Sequence, residues 1–71
     1  MRLTAEEVRK LPEGTHVVIH GVTREGLKCR TDTFVRKHKG KKKLYYDNGW
    51  ISGFKDIVKL KDDENHYYEV E

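Results

Sequence analysis

The chain has 71 residues, of which 38% are charged and 35% are apolar, and its formal net charge is +3. A chain of this length forms one domain, so a two-domain enzyme and a deep cofactor-binding fold are excluded. No apolar run approaches the ~20 residues of a membrane-spanning helix, no secretory signal peptide is visible, and the lone Cys29 excludes an internal disulfide. We therefore expect one soluble, cytoplasmic domain over residues 1–71.

Residues 1–12 have the pattern of a short helix followed by a turn. Thr4, followed three residues later by Glu7, matches a capping box in which Thr4 is the N-cap. Leu3 and Val8 would then lie on one apolar stripe, and the proline at the end of the segment disfavours a helical residue before it. We expect this helix to pack against a sheet, because two turns are too short to be stable alone.

Residues 13–61 have the pattern of short β-strands. β-branched residues dominate His16–Val22, and apolar and polar residues alternate over 27–35. Further short strands are predicted over residues 43–47, 50–51 and 57–60. Strands of this length separated by turns predict a mainly β fold, a small antiparallel barrel or sandwich of about five strands with a short N-terminal helix.

Three positions qualify this prediction. Phe34 falls on the polar face of its strand, so either a bulge near Asp32 shifts the register or the ring is exposed. Asn48-Gly49 is the strongest hairpin signal and predicts a type I′ turn. Residues 62–71 form an acidic tail that either frays or adds an edge strand.

Charge is distributed unevenly along the chain. Residues 28–46 hold eight Lys or Arg against Asp32 alone, a net of +7, whereas residues 62–71 hold five acidic residues and no basic one, a net of −5. The candidate basic face consists of Lys28, Arg30, Arg36, Lys37, Lys39, Lys41, Lys42 and Lys43. The candidate acidic site consists of Asp62, Asp63 and Glu64. Such asymmetry steers a polyanion to one face, whereas a solvated hairpin tip would explain residues 39–43 without a ligand.

Aromatic residues cluster near the basic stretch. Phe34 and Tyr45 lie out of phase with their neighbours and are the candidates for exposed rings. The residues interpreted as core or half-core are Tyr46, Trp50 and Phe54. If Tyr45 shares a sheet face with Arg30 and Arg36, that face is both basic and aromatic, as a nucleic-acid surface needs to be.

Catalytic and metal-binding patterns are weak. Cys29 is predicted to face inward from mid-strand, where a lone cysteine is a small core residue rather than a nucleophile. His16 and His20 would lie ~13 Å apart along a strand, which is too far for one ion. No glycine-rich phosphate-binding motif occurs. We therefore expect no enzyme, no metal site and no cofactor.

The segment Gly49–Leu60 resembles the closing segment of SH3-like barrels. By this resemblance Gly53-Phe54 is a glycine–aromatic step, Lys55–Ile57 is a 3₁₀ turn, and Val58–Leu60 is the last strand. Leu44–Trp50 is similar to the strand–turn–aromatic hairpin of Tudor-like and chromo-like barrels.

The resemblance extends to the N-terminal side of the strands, where Leu11–Val17 is similar to the start of small bacterial SH3-like domains. It implies a five-stranded SH3-like barrel. The Ala-Leu-Tyr-Asp-Tyr motif of peptide-binding SH3 domains is absent, so recognition of proline-rich peptides is not implied. Small basic SH3-like barrels of archaeal chromatin proteins bind DNA through an outward sheet face, and the charge pattern here is similar in kind. The size and lone domain also resemble phage or mobile-element products that inhibit a host enzyme.

Two functions follow from these observations. In the first, the chain is a non-catalytic protein-interaction or inhibitor module of phage or mobile-element type, whose basic face docks on a partner and whose acidic tail imitates phosphate. In the alternative, the basic face binds nucleic-acid phosphates with little sequence preference, and Phe34 and Tyr45 stack or wedge. The expected partner is a protein or a nucleic acid and not a membrane. We expect a monomer, with dimerisation through an open edge as the alternative.

Overall fold

A single antiparallel sheet of six strands organises the chain, and the computed structural model describes all residues from 1 to 71. In chain order the elements are β1 (Arg2–Leu3), α1 (Ala5–Arg9), β2 (His16–Val22), β3 (Lys28–His38), β4 (Lys41–Asp47), β5 (Ser52–Lys55) and β6 (Tyr67–Glu69). The strand order is β1-β6-β2-β3-β4-β5. The predicted mainly β, antiparallel architecture with a short N-terminal helix is confirmed. The strand count is six rather than five, and the sheet is not closed into a barrel.

The predicted capping box starts α1. The backbone N–H of Glu7 donates to Thr4 Oγ1 at 3.3 Å, and the backbone N–H of Thr4 donates to Glu7 Oε1 at 3.0 Å. These bonds hold the pKa of Glu7 below its ordinary value, chiefly through the backbone bond with Thr4. Val8 is fully buried, so this short helix is stabilised by packing as well as by its cap. It has neither the length nor the apolar character needed to cross a membrane.

The core lies on one face of the sheet, called here the inner face. Its buried residues are Leu3, Ala5, Val8, Val17, Val35, Leu44, Ile57 and Tyr68. The one buried polar residue is Thr33, whose hydroxyl donates to the carbonyl of Val17 at 2.7 Å. Cys29, predicted to face the core, is exposed because the β2–β3 hairpin extends beyond the helix and loops that cover the inner face.

The strand β3 runs for eleven residues without a bulge. Its pairing with β2 is continuous from His16↔Phe34 to Val22↔Lys28. Side chains therefore alternate strictly between the two faces of the sheet. Of the two possibilities for Phe34, the structure has the exposed ring: it lies on the outer face, opposite the core, and is 43% exposed.

The tight hairpin turn occurs at a different place from the predicted one. Lys39 and Gly40 have φ values of 52° and 80° between the paired residues His38 and Lys41, as a type I′ turn requires. The predicted turn at Asn48-Gly49 belongs instead to a longer loop between β4 and β5. The prediction of a type I′ turn there is wrong.

The side chain of Asn48 organises that longer loop. Its Oδ1 accepts the backbone N–H groups of Trp50 and Ile51, both at 2.9 Å. Trp50 is 94% exposed and Ile51 is 62% exposed. The predictions that both residues continue a strand and that Trp50 belongs to the core are therefore wrong.

The chain after β4 differs most from the resemblance-based expectation. Gly53-Phe54 lies inside β5 and does not interrupt the strand. The Tyr46 ring on the paired strand covers Gly53, where an added Cβ would come within 3.1 Å of Tyr46 Oη. Residues 56–61 form neither the predicted 3₁₀ turn nor the predicted last strand. They pack as a loop, in which the hydroxyl of Tyr68 donates to the carbonyl of Val58 at 2.8 Å and accepts its N–H at 3.2 Å.

Three residues of the acidic C-terminal segment, Tyr67–Glu69, form a strand inside the sheet. β6 lies between β1 and β2, so it is neither a frayed tail nor an edge strand. The amino group of Met1 donates to the carbonyl of Val70 at 2.6 Å, and the N–H of Val70 donates to the carbonyl of Met1 at 2.8 Å. The two ends of the described chain therefore hold each other in place.

We expect a chain truncated after Asn65 to lose its cooperative unfolding transition. The truncation deletes β6, leaves β1 without a partner and removes Tyr68 from the core. Urea unfolding followed by circular dichroism measures this effect. The control is deletion of Glu71 alone, which removes only an exposed ion pair with Arg30 and should leave the midpoint unchanged. A truncated chain that keeps the midpoint of the full chain would contradict the assignment of β6 to the sheet interior.

Candidate functional site

The outer face of the sheet carries a row of aromatic rings across its middle. The row consists of His16, Phe34, Tyr45 and Phe54, and is called here the ring row. The ring centroids of His16 and Phe34 are 5.3 Å apart, and those of Tyr45 and Phe54 are 5.2 Å apart. Phe34 and Tyr45 are cross-strand partners, so each strand from β2 to β5 contributes one ring to the row. His38 lies outside the row, nearer the Lys39-Gly40 turn, and its ring stacks on Phe54 with a centroid distance of 4.2 Å.

Three cations lie along one side of the ring row, toward the Lys39-Gly40 turn. Arg36, Lys41 and Lys43 form this group, called here the basic edge. Arg36 lies directly opposite Lys43 in the β3–β4 pairing, and like charges in this arrangement are destabilising. The basic edge therefore concentrates positive charge in a small area.

Few counter-charges reach the basic edge. Arg36 and Lys41 take part in none of the seven ion pairs of the chain. The guanidinium carbon of Arg36 lies 4.5 Å from the centroid of the Tyr45 ring, as in a cation–π contact. Lys43 has one acidic partner, Asp56, at 3.1 Å.

The other half of the outer face has its charges paired. Arg30 binds Asp32 and Glu71, each at 3.2 Å. His20 Nε2 lies 2.9 Å from Glu69 Oε1. We call this half of the outer face the paired half. Because the carboxylates compensate the cations, the paired half offers less net attraction for a polyanion than the basic edge does.

Hydrogen bonds in the paired half shift the ionisation of its carboxylates. His16, and after it Arg30, holds the pKa of Asp32 below its ordinary value. His20 does the same to the pKa of Glu69. Asp32 in turn raises the pKa of Arg30. Both carboxylates therefore remain charged at neutral pH.

The eight predicted basic residues do not form one face. By strand alternation, Lys28, Arg30, Arg36, Lys41 and Lys43 lie on the outer face. Lys28 lies ~20 Å along β3 from Phe34, so it is distant from the ring row. Lys37 and Lys42 lie on the opposite face, where Lys42 Nζ donates to the carbonyl of Leu11 at 2.6 Å. Lys39 is in the turn.

The predicted acidic site is occupied by internal bonds. Arg2 pairs with Asp62 at 3.3 Å. Asp63 Oδ1 accepts the backbone N–H groups of Asn65 and His66 at 2.8 and 2.9 Å, which hold the pKa of Asp63 below its ordinary value, the Asn65 bond most strongly. Glu64 is the one exposed member of the predicted site that makes no such bond.

Sequence reasoning missed half of the ring row. Phe34 and Tyr45 were predicted as exposed rings, and the structure places both on the outer face together with Arg30 and Arg36, where Phe34 is exposed and Tyr45 is half-buried. Phe54 was interpreted as a core or half-core residue, but it is 38% exposed. The sequence signal was the spacing of two residues between Ser52 and Phe54, which places both side chains on one face of a strand. This signal was obscured because Gly53 was interpreted as a break in the strand.

The outer face holds no cluster suited to a metal ion. No group of three or more His, Cys, Asp or Glu side chains converges anywhere in the chain. His16 and His20 contact carboxylates on different neighbouring strands, Asp32 and Glu69. Their side chains are therefore directed apart rather than toward a common point.

We expect the stability of the chain to decrease on acidification because of Asp32, Asp63 and Glu69. A carboxylate whose pKa is lower in the folded state stabilises the fold above its unfolded pKa, about 3.9–4.3, and this contribution is lost as the pH falls through the folded value. Thermal unfolding between about pH 5 and pH 2 measures the loss. Glu69→Gln lacks one of these carboxylates and should lose less stability over the same range. Parallel curves for the two chains would show that Glu69 does not contribute.

Comparison with known proteins yields no matching family model, no matching curated protein and no matching solved structure.

Proposed function

We propose that this chain binds nucleic acid through the ring row and the basic edge, with little dependence on base sequence. The observation that carries the proposal is Arg36, a cation without an acidic partner that lies opposite Lys43 and beside the aromatic rings. A phosphate at this position would supply the acidic partner that Arg36 lacks, through charge-assisted hydrogen bonds. Cations that bind phosphate beside rings that stack on bases form a nucleic-acid surface.

The position of the acidic residues supports this function over the imitation of phosphate by the tail. Asp62 and Asp63 bind Arg2 and the backbone of their own turn. Glu69 and Glu71 compensate His20 and Arg30. These carboxylates leave the basic edge accessible, since none of them pairs with it.

The finer predictions from the sequence remain proposals. The proposed binding of nucleic acid does not depend on the SH3-like resemblance, on a phage or mobile-element origin or on a cytoplasmic location. The non-catalytic role is likewise part of the proposal, in which the outer face acts by binding alone.

Arg36→Glu should weaken binding of the chain to DNA and flatten its dependence on salt. Each lost phosphate contact lowers the slope of log K against log salt concentration by about 0.7 for a single strand or 0.9 for a duplex. Fluorescence anisotropy with labelled single-stranded and duplex DNA between ~50 and ~200 mM salt measures both quantities.

The matched control is Lys37→Glu. It changes the net charge by the same amount at the neighbouring residue, but on the opposite face of the sheet. This variant should keep the affinity and the slope close to those of the unsubstituted chain. Equal losses in both variants would mean that net charge rather than this face drives binding. No binding by the unsubstituted chain at ~50 mM salt would overturn the proposal.

A second candidate function is docking to a protein through the β4–β5 loop. Trp50 is 94% exposed and Ile51 is 62% exposed on a loop that Asn48 holds in a defined conformation. Tryptophan is enriched among the residues that dominate the binding energy of protein interfaces. This observation retains the protein-interaction hypothesis but moves it from the acidic tail to the loop.

Trp50→Ala separates the two candidates. The substitution should change stability by less than ~0.5 kcal/mol, because the side chain is almost fully exposed. If the loop docks to a protein, a partner captured by the unsubstituted chain is lost with Trp50→Ala and retained with Arg36→Glu. Affinity capture with both variants in parallel measures this. Retention of the partner by Trp50→Ala would rule out the loop as its docking site.

A further inference from the structure

We infer that the ligand of the outer face is single-stranded nucleic acid, in which about two or three unpaired bases stack on the ring row. This inference rests on the proposed function and specifies its ligand. It depends on three features of the outer face: the length of the ring row, the exposure of its phenyl rings and the placement of charge on its two sides.

The ring row has the dimensions of a short stacking platform. It crosses four adjacent strands, from β2 to β5, which corresponds to ~14 Å at the usual spacing between strands. Phe34 and Phe54 are 43% and 38% exposed. Exposed phenyl rings gain from contact with a flat apolar partner, and the π-face of a base is one.

Charge differs between the two sides of the ring row. Arg36 and Lys43 lie two residues from Phe34 and Tyr45 toward the Lys39-Gly40 turn. Asp32 and Asp47 lie two residues in the other direction, where they line one cleft together with Arg30, the ion-pair partner of Asp32. Phosphates are therefore attracted more strongly to the basic edge than to the other side of the row, where cations and carboxylates are paired.

This polarity orients a bound strand. The sugar–phosphate backbone would follow the basic edge across the strands of the sheet, and the bases would extend from it over Phe34, Tyr45 and Phe54. Asp32 and Asp47 would then face the far edges of the bases, where a carboxylate accepts a hydrogen bond from an exocyclic amino group.

A duplex does not fit this arrangement as well. Its bases are stacked on one another and paired, so their faces are not available to the rings, and only phosphates and groove edges remain for contact. A protein partner fits less well too, since lysine is depleted at protein interfaces. Here Lys43 directly borders the rings, and Lys41 lies two residues farther along the same strand.

The experiment compares a single-stranded DNA, a single-stranded RNA of the same sequence and the corresponding duplex DNA at one low salt concentration by fluorescence anisotropy. The full chain is used with Phe34→Leu and Phe54→Leu, which remove a ring but keep an apolar side chain. Each substitution should lower the affinity for the single strand roughly 5- to 150-fold, the range for loss of one stacked base. Affinity for the duplex should not change.

Two controls keep the result interpretable. Trp50→Leu removes an exposed ring outside the ring row and should leave single-strand affinity unchanged. Phe34→Tyr keeps the ring and should restore the affinity lost in Phe34→Leu. Circular dichroism establishes that each variant is folded, so that loss of binding is not loss of structure.

The outcomes distinguish a failure of the inferred single-stranded ligand from a failure of the proposed nucleic-acid binding. Preference of the unsubstituted chain for either single strand, lost with the ring, supports the inference, and the DNA and RNA arms identify which strand is bound. Duplex binding that is equal or tighter, insensitive to both phenylalanine substitutions but abolished by Arg36→Glu, overturns the inference and leaves nucleic-acid binding in place. Absence of binding to all three probes overturns the proposed function itself.

Discussion

The unbroken pairing of β3 with both of its neighbours is the constraint on which the outer face depends. Because side chains alternate, this register directs Val35 and Thr33 to the core and Phe34 and Arg36 outward. A slip of one residue would exchange the two sets. Phe34 and Val35 are both apolar, so apolar patterning alone does not select the register. The hydrogen bond from the Thr33 hydroxyl to the Val17 carbonyl also favours the observed register, since the opposite register would break this buried bond.

The C-terminal segment determines where positive charge remains available. Its carboxylates Glu69 and Glu71 reach His20 and Arg30 because β6 lies beside β2. The basic edge lies on β3 and β4, toward the Lys39-Gly40 turn and away from Arg30, and it receives neither carboxylate. A net charge of only +3 is therefore compatible with a strongly basic local surface, because the compensation is confined to one half of the outer face.

Local signals predicted the local structure, and long-range pairing determined the rest. The Thr4–Glu7 capping box and the alternation along β3 depend on neighbouring residues, and both were predictable. The position of β6 could not be predicted, because pairing of Arg2 with Glu69 leaves no pattern in either short segment. The interpretation of Gly53 as a break in the strand was wrong for a related reason, since the ring of Tyr46, on another strand, fills the space beside it.

In the candidate site too, local signals identified some residues and only the long-range strand pairing identified the others. Phe34 and Tyr45 were identified because they break the alternation of their own strands. Phe54 could be added only when the pairing of β4 with β5, which places it opposite Tyr45, was known. Lys37 and Lys42 could be separated from the basic edge only from the strand register, since composition does not distinguish the two faces.

The pairing of β1 with β6 also has a consequence for the order of folding. β2 to β5 are joined by successive hairpins, whose contacts are close in sequence and can form early. β1 cannot pair until residues 67–69 have left the ribosome, so the strand that precedes the other five in the sheet is among the last to find its partner. Until then, the apolar side chains of Leu3 and Val8 lack the Tyr68 side of their core, and the nascent chain exposes them to solvent and to chaperones.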